Sequence, residues 1–426
     1  MKNWAKNLTF YPKNIYAPKS EQEIQGIVKD HLKRNKSLRM RGSAHSWTEL
    51  ISSDEGFIHL DDMQGLIGVD EERKIINAYG GTKLYRFGEE AFKHHLNLPN
   101  QGDVNHQSLA GSLSTGTHGT GIELQSMANQ LQGMTFFSGL GDLITINQEK
   151  NPDLMNALSV SLGSAGLLTQ VSLKMTEAYK LKAESFPEDM NEALQKARKR
   201  LTQNRHFEMF YFPVGKWSIV KLMNQTTEQV SPRSRIKKIS EMVLDNWLFE
   251  GMNILASKSK KYSEIDQLVR RFVGHDTFID WSHRAFPTER TVRFMEMEFN
   301  LPIDKFEEIF LEIQACIEKN KFETLFPIEI RFVKGDNLWL SPAYQRDSVY
   351  FAIHTYKSEN YRPYFEEIQK IFIRHSGRPH WGKWHSLTEK ELAPLYPRWD
   401  DFKKIRRELD PQGIWLNNHL KTLFHN

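Results

Sequence analysis

Two runs of small residues are where this chain could do chemistry. The first is Arg41-Gly42-Ser43-Ala44-His45-Ser46-Trp47; the second is Gly111-Ser112-Leu113-Ser114-Thr115-Gly116-Thr117-His118-Gly119-Thr120-Gly121. Small side chains let successive backbone N–H groups close on an anion, and serine and threonine hydroxyls add donors. Taken alone, the first loop reads as a plain turn carrying a surface histidine, His45. The second is a poor surface loop and a good wrap for a polyanionic or planar ligand. It is not a P-loop, because Thr117 and His118 follow Gly116 where Lys and Ser/Thr would be needed. Nor does Gly116-x-x-Gly119-x-Gly121 follow the Rossmann order. Two such loops point to a dinucleotide gripped by a different fold.

Other chemistries find less support. His375, His380 and His385 are spaced by five, which turns neighbours onto different faces of a helix or a strand, and neither H-E-x-x-H nor C-x-x-C occurs. No metal site is expected. A serine hydrolase would need a G-x-S-x-G elbow, which is missing.

Alternation marks a second set of residues, since side chains along a strand face opposite sides in turn. In Phe294–Phe299, Glu296 and Glu298 share one side while Met295, Met297 and Phe299 take the other. Glu329 and Arg331 oppose Ile328, Ile330 and Phe332. His354 and Tyr356 oppose Phe351 and Ile353. A short strand over His380–His385 would put Lys383 on the side of Trp381 and His385. The polar faces either meet water, as antiparallel sheets allow, or line a cavity. The pattern leaves both open.

The elements that must position these residues fall into two groups. Ser20 followed by Glu23 forms a capping box for a helix through about Leu32. Strands are expected over 37–41, 56–60, 74–78, 133–137 and 143–146, with helices over 82–95 and 152–162, then an alternating strand to Lys174. From there, strands over 208–212, 217–222, 294–299, 329–333 and 349–356, with a helix over 303–320, suggest a largely antiparallel sheet backed by helices. The fold class is α+β.

The 426 residues suffice for two domains. Net charge is +4 with both signs interspersed, so no nucleic-acid footprint is implied. Mean hydropathy is −0.57 and no long charge-free apolar run occurs, so no transmembrane segment is expected. The amino terminus lacks a signal-like apolar core, and Cys316 is the lone cysteine, which fits a reducing, cytoplasmic setting. The basic stretch Arg233–Lys261, with Trp247 and Phe249 among its lysines, reads as a solvated helical face or as a peripheral membrane contact.

Taken together, these residues resemble the aldonolactone and alditol oxidases of the vanillyl-alcohol-oxidase flavoprotein superfamily. The likeness spans nearly the whole chain. Asn3-Trp4-Ala5 resembles that family's opening, Gly42-Ser43-Ala44-His45-Ser46 its Gly-x-Gly-His-Ser loop, and Ala110–Gly121 its second FAD loop. Leu162-Gly163-Ser164-Ala165-Gly166 resembles its Leu-Gly-x-Leu-Gly strand entry. Glu329-Ile330-Arg331, Asp336–Pro342 and His380-Trp381-Gly382-Lys383 resemble its cap-domain residues, and Leu409–Gly413 with Asn417 its carboxyl end.

The resemblance implies a two-domain fold, with an FAD-binding domain at 1–175, a substrate-binding cap at 176–395 and a segment at 396–426 returning to the first domain. It implies FAD bonded to His45. Arg41 to Trp47, together with Ser108, Gly111, Ser112, Thr115, Gly116, Thr117, His118 and Gly121, would hold the cofactor. Gly163, Gly166, Leu168, Lys383 and Asn417 would complete that set. Glu329, Arg331, His354 and Ser108 would meet the substrate, and Lys383 would stand near flavin N1. The implied activity is oxidation of a hydroxyl on a sugar-derived lactone or polyol, with O₂ as acceptor giving H₂O₂. A dehydrogenase passing electrons to a quinone or cytochrome, and a flavin-binding protein without turnover, are the other readings. Two departures stand out: Ala44 replaces the family's second loop glycine, and Tyr356 stands where alditol oxidases usually carry threonine.

Overall fold

Ser20 starts the first helix, α1 (Glu21–Lys33), by accepting a hydrogen bond from the Glu23 N–H at 3.2 Å. Its apolar stripe, Ile24 and Val28, packs on Leu38, Ile58, Phe137 and Leu167. The computed structural model describes residues 1–231, 247–288, 292–357 and 359–424.

The first part of the chain carries two main sheets. Strands β1 (Asn14–Tyr16), β2 (Leu38–Arg41) and β3 (Gly56–His59) form a parallel sheet in the order β1-β3-β2. An antiparallel sheet in the order β4-β5-β9-β7-β8 follows, from β4 (Leu66–Asp70), β5 (Ile75–Tyr79), β7 (Leu131–Phe137), β8 (Leu143–Asn147) and β9 (Leu167–Lys174). Two short strands, β6 (Leu96–Asn97) and β10 (Thr176–Glu177), pair beside it. Helix α2 is Leu84–Phe92, shorter at both ends than the expected 82–95.

Two expectations in this part are corrected. The segment from Gly111 is not all loop: Ser108 caps a short helix, α3 (Leu109–Ser114), and Gly116 (φ +72°) turns the chain out of it. Helix α4 (Pro152–Leu158) does not reach Leu162, because Leu162 and Gly163 take left-handed conformations (φ +59° and +61°) that no α-helix accommodates.

The second part is one antiparallel sheet of eight strands among the described residues, in the order β14-β11-β13-β12-β16-β17-β15-β18. These are β11 (Lys180–Asp189), β12 (His206–Phe212), β13 (Trp217–Thr226), β14 (Asp276–Trp281), β15 (Phe294–Pro302), β16 (Ile328–Val333), β17 (Ser348–Tyr356) and β18 (Arg378–Pro379). The apolar side anticipated by alternation packs against helices Phe306–Asn320 and Arg362–Arg374, with Phe299 on Phe372 and Phe306 on Phe332 at ring separations of 5.1 and 5.2 Å.

The carboxyl end returns to the first part. The Leu38 N–H donates to Ile414 O at 2.7 Å, and Trp415 is wholly buried in the cluster that α1 covers. Arg39 ties these pieces together. Its guanidinium donates to the carbonyls of Leu50, Leu162, Gly163 and Trp415, and burial lowers its pKa to about 9. No helix among the described residues is long and apolar enough to cross a membrane. Of the basic stretch Arg233–Lys261, residues through 246 lie outside the described residues; Lys258, Lys260 and Lys261 are exposed at the end of helix Trp247–Ser259.

Candidate active site

The two small-residue loops meet. A cleft of about 880 Å³ is lined by Arg41, Gly42, Ser43, Ala44, His45 and Ser46 from the loop after β2, and by Ser108, Gly111 and Thr115 from around α3. Gly163, Gly166 and Leu168, from the turn into β9, close its third side. The approach requires glycine at 42, where a Cβ would collide with Ser108 Oγ. Ala44 has φ +58°, so the residue replacing the family's glycine stands where glycine is favoured.

The donors of this cleft suit a pyrophosphate. Arg41 and Lys83 converge on Asp61 at 3.0 and 2.8 Å, Lys83 also reaches Ser43 Oγ at 3.1 Å, and the buried Arg41 Nε has no hydrogen-bond partner among the described residues. These residues fit FAD. Arg41, Lys83 and Ser43 would hold its diphosphate, and His45 would stand where this cleft opens into the next.

His45, Gln107 and Thr115 line both this cleft and a second one of about 730 Å³. The second cleft is walled by the polar face of the large sheet, and strand register explains its contents. Glu208 on β12 lies opposite Arg331 on β16, which lies opposite Tyr350 on β17. Glu298 and Glu329 flank Ala352, whose small side chain leaves room above the middle strand, and Glu296 lies opposite His354. The cavity-lining reading of the alternating strands is therefore the correct one. The exception is Tyr356, which is buried in the core and does not line the cleft.

Charges inside are matched. Arg331 pairs with Glu329, with Asp103, and with Glu208 through Nε at 2.9 Å. Those carboxylates hold its pKa well above the usual value against the opposing effect of burial. His118 donates Nδ1–H to Gly119 O at 2.8 Å and meets Glu298 through Nε2 at 3.1 Å, its ring lying 3.8 Å from that of Tyr350. His380 accepts the Gly382 N–H on Nδ1 at 3.0 Å, which leaves its proton on Nε2. His118, Glu298 and His380 stand close enough together to hold a metal ion, and here the Nδ1 lone pair of His380 is taken by the Gly382 N–H. The cluster is a hydrogen-bond network around a buried carboxylate.

Lys383 comes from a turn, not from the expected strand. Its N–H donates to His380 O at 2.9 Å, and this turn sends Lys383 into the cleft beside His380, while the Trp381 indole points away to Leu340 O. The expected grouping of Lys383 with Trp381 and His385 is thus wrong, because the chain reverses within three residues. Lys383 Nζ lies 4.3 Å from the centre of the Trp47 ring and pairs with Glu296. Trp47 is fixed by its own N–H to Gly382 O at 2.8 Å. His45 stacks on Trp4 at 5.2 Å, and burial with the nearby Lys383 lowers its pKa to about 4, so the ring is neutral at ordinary pH.

Most of the expected site residues converge here. Glu329, Arg331, His354, Lys383, Trp47, Thr117 and His118 line the second cleft; Ser108 lines the first and caps α3. Four residues stand outside both. Ser112 is buried within α3, bonded to Leu109 O. Gly116 follows α3, and Gly121 (φ +141°) ties its loop to β16 through Phe332 O. Asn417 caps the last helix and donates to Glu49 O and Ser52 O. Asp103, Glu208, Glu296, Glu298, His380 and Trp4 belong to the site without having been assigned to it. Alternation had set Glu296 and Glu298 on the correct face, whereas nothing in the turn after Gly102 pointed to Asp103.

Known proteins share this architecture. A profile for the FAD binding domain matches residues 12–147, and the class is that of FAD-dependent oxidoreductases with the vanillyl-alcohol-oxidase fold. Cholesterol oxidase from Brevibacterium sterolicum, in a variant form, superposes with a TM-score of 0.83 over 100% of this chain and 96% of that one, at 16% identity. The profile for D-arabinono-1,4-lactone oxidase matches residues 171–423, and the chain belongs to that family. L-gulono-1,4-lactone dehydrogenase of Mycobacterium tuberculosis is 30% identical over 99% of this chain and 98% of its own length. L-gulonolactone oxidase of Mus musculus is 29% identical over the same shares, and alditol oxidase of a Streptomyces species 24%.

Proposed function

We propose that the protein oxidises a hydroxyl group of a small sugar-derived lactone or polyol, with O₂ as the electron acceptor and H₂O₂ as product, using FAD bonded to His45. The observation that carries this reading is the opening of the nest-lined cleft, at His45, into a pocket walled by Glu329, Arg331, His354 and Lys383. Bound there, FAD would supply the hydride acceptor.

The chain's own residues do the rest. Arg331, braced by three carboxylates, is a fixed donor for a substrate oxygen, and Glu329 beside it is an acceptor for a substrate hydroxyl. Such preset partners orient a polyol without reorganisation during reaction. Lys383 places a positive charge at the junction of the clefts, where it would favour an anionic reduced cofactor. A neutral imidazole is the form able to bond a flavin carbon, and His45 is neutral. The single cysteine supports a cytoplasmic setting. The domain limits are read as 1–175, 176–395 and 396–426; the start of the large antiparallel sheet at Lys180 supports the first and the bonding of Ile414 to Leu38 supports the return of the carboxyl segment.

The relative named as a dehydrogenase favours a second reading, in which electrons leave for a quinone or cytochrome. The test is direct. Purified protein should be yellow, bleach on anaerobic addition of an aldonolactone or a polyol such as xylitol, and release peroxide in air. Bleaching with turnover only in the presence of an artificial dye would establish the dehydrogenase instead, and colourless protein that takes up no FAD would end both readings.

A further inference from the structure

Glu296, a carboxylate of the second cleft, touches both a cation and an imidazole assigned to the reaction. Its two oxygens are divided between them. Oε2 pairs with Lys383 Nζ, and Oε1 faces His354 Nε2 at 3.5 Å. Register makes this arrangement rigid, because Glu296 and His354 are direct partners on β15 and β17. The far side of the imidazole is fixed too: His354 Nδ1 lies 3.0 Å from Pro327 O, so Nδ1 carries a proton. Nε2 is thereby turned toward the Glu296 carboxylate. Lys383 sits on a turn, not on a strand, and its ammonium is held on one side by the Trp47 face and on the other by Glu296.

We propose that Glu296 is a positioning residue of the reaction, a single buried carboxylate that holds the Lys383 ammonium at the junction of the two clefts and fixes the His354 ring beside it. This rests on the function proposed above, since it acts through Lys383 and His354. The titratable groups facing Glu296 are Lys383 from the turn, His354 from β17, Glu298 from its own strand and His45 from the loop after β2. Burial opposes the ionised carboxylate, and Lys383 and His354 overcome that effect. Removing the anion frees Lys383 to swing along the face of Trp47.

Four variants test this: Glu296→Gln, Glu296→Asp, Lys383→Met and the double variant Glu296→Gln/Lys383→Met. Glu296→Gln should fold and keep its flavin, judged by thermal melting and visible spectrum, yet be reduced by substrate roughly tenfold or more slowly, with KM changed less than kcat. Glu296→Asp should recover part of that loss. The double variant should lose less than the product of the two single losses, since residues acting through one another are not additive. Two readouts separate positioning from mere packing: the loss falls on kcat more than on KM, and the conservative Glu296→Asp, which keeps the anion, restores part of the rate. If Lys383→Met is slow but Glu296→Gln reduces at the wild-type rate, the role of Glu296 is refuted alone. Full multiplication of the two effects in the double variant refutes it equally. If Lys383→Met is itself as fast as wild type, the assignment of Lys383 falls and this inference with it.

Discussion

Ala44 carries a cost that the loop does not require. At φ +58° an alanine is strained by about 1–2 kcal/mol, and glycine gives back part of that gain as chain entropy. Ala44→Gly should therefore stabilise the protein by about 0.5–1 kcal/mol, seen as a higher urea midpoint; an equal or lower midpoint would mean that the Ala44 methyl, buried beside Phe10 and Phe57, contributes more than the strain. One residue on, His45→Ala should give protein whose flavin leaves on acid precipitation, whereas in wild type it stays with the pellet. Flavin fully released from wild type would remove the covalent bond from the proposal. At this scale the sequence was readable wherever a residue broke a strict pattern. Glu329, Arg331 and His354 stood out because each interrupts an apolar strand on a fixed side. Asp103 and Trp4 could not stand out, for they reach the pocket from irregular segments whose direction only tertiary contacts decide.

Elements were legible where a local signal marked them, as the serine cap does for helix α1; α5 (Met190–Gln203) was not anticipated, although Asp189 accepts from the N–H groups of Asn191 and Glu192. Strands β11 and β14 were not anticipated. β11 includes Lys180, Lys182, Glu184 and Pro187 and takes its conformation from pairing with β13 and β14, not from apolar alternation. The helix before Gly163 was also carried too far, to Leu162, since the determinant of the Leu162–Gly163 turn lies far away in sequence. Arg39 supplies donors to both carbonyls of that turn as well as to Leu50 and Trp415. Arg39→Met would leave those buried acceptors without partners, at a cost of about 3 kcal/mol or more. Urea denaturation followed by tryptophan fluorescence reads this directly, and a loss below about 1 kcal/mol would show that the turn holds itself.

For the whole molecule, buried histidines set the response to acid. Desolvation lowers His206 and His385 to about 3 and His380 and His419 to about 4. The unfolded chain takes up these protons first, near pH 6.5, so their effect on stability is nil above that pH and grows as pH falls toward 4. At pH 5 each costs about 2 kcal/mol, 1.36 kcal/mol for each of the 1.5 units below the unfolded value. Melting temperature should drop by roughly 10 °C between pH 7 and pH 5, and identical melting curves at the two values would contradict the neutral burial of these rings. The α+β class and the largely antiparallel sheet of the second part were legible from element types, while the parallel pairing of β1, β3 and β2 was not, because it depends on which strands come together across the fold. That first sheet also has a bearing on biosynthesis. Leu38 and Arg39 bond the backbone of Ile414 and Trp415, and the Trp415 ring completes the core beneath α1. A nascent chain thus cannot seal the domain beneath α1 until Trp415 has left the ribosome, and products that stop short of it should be recognised by chaperones and proteases as unfinished.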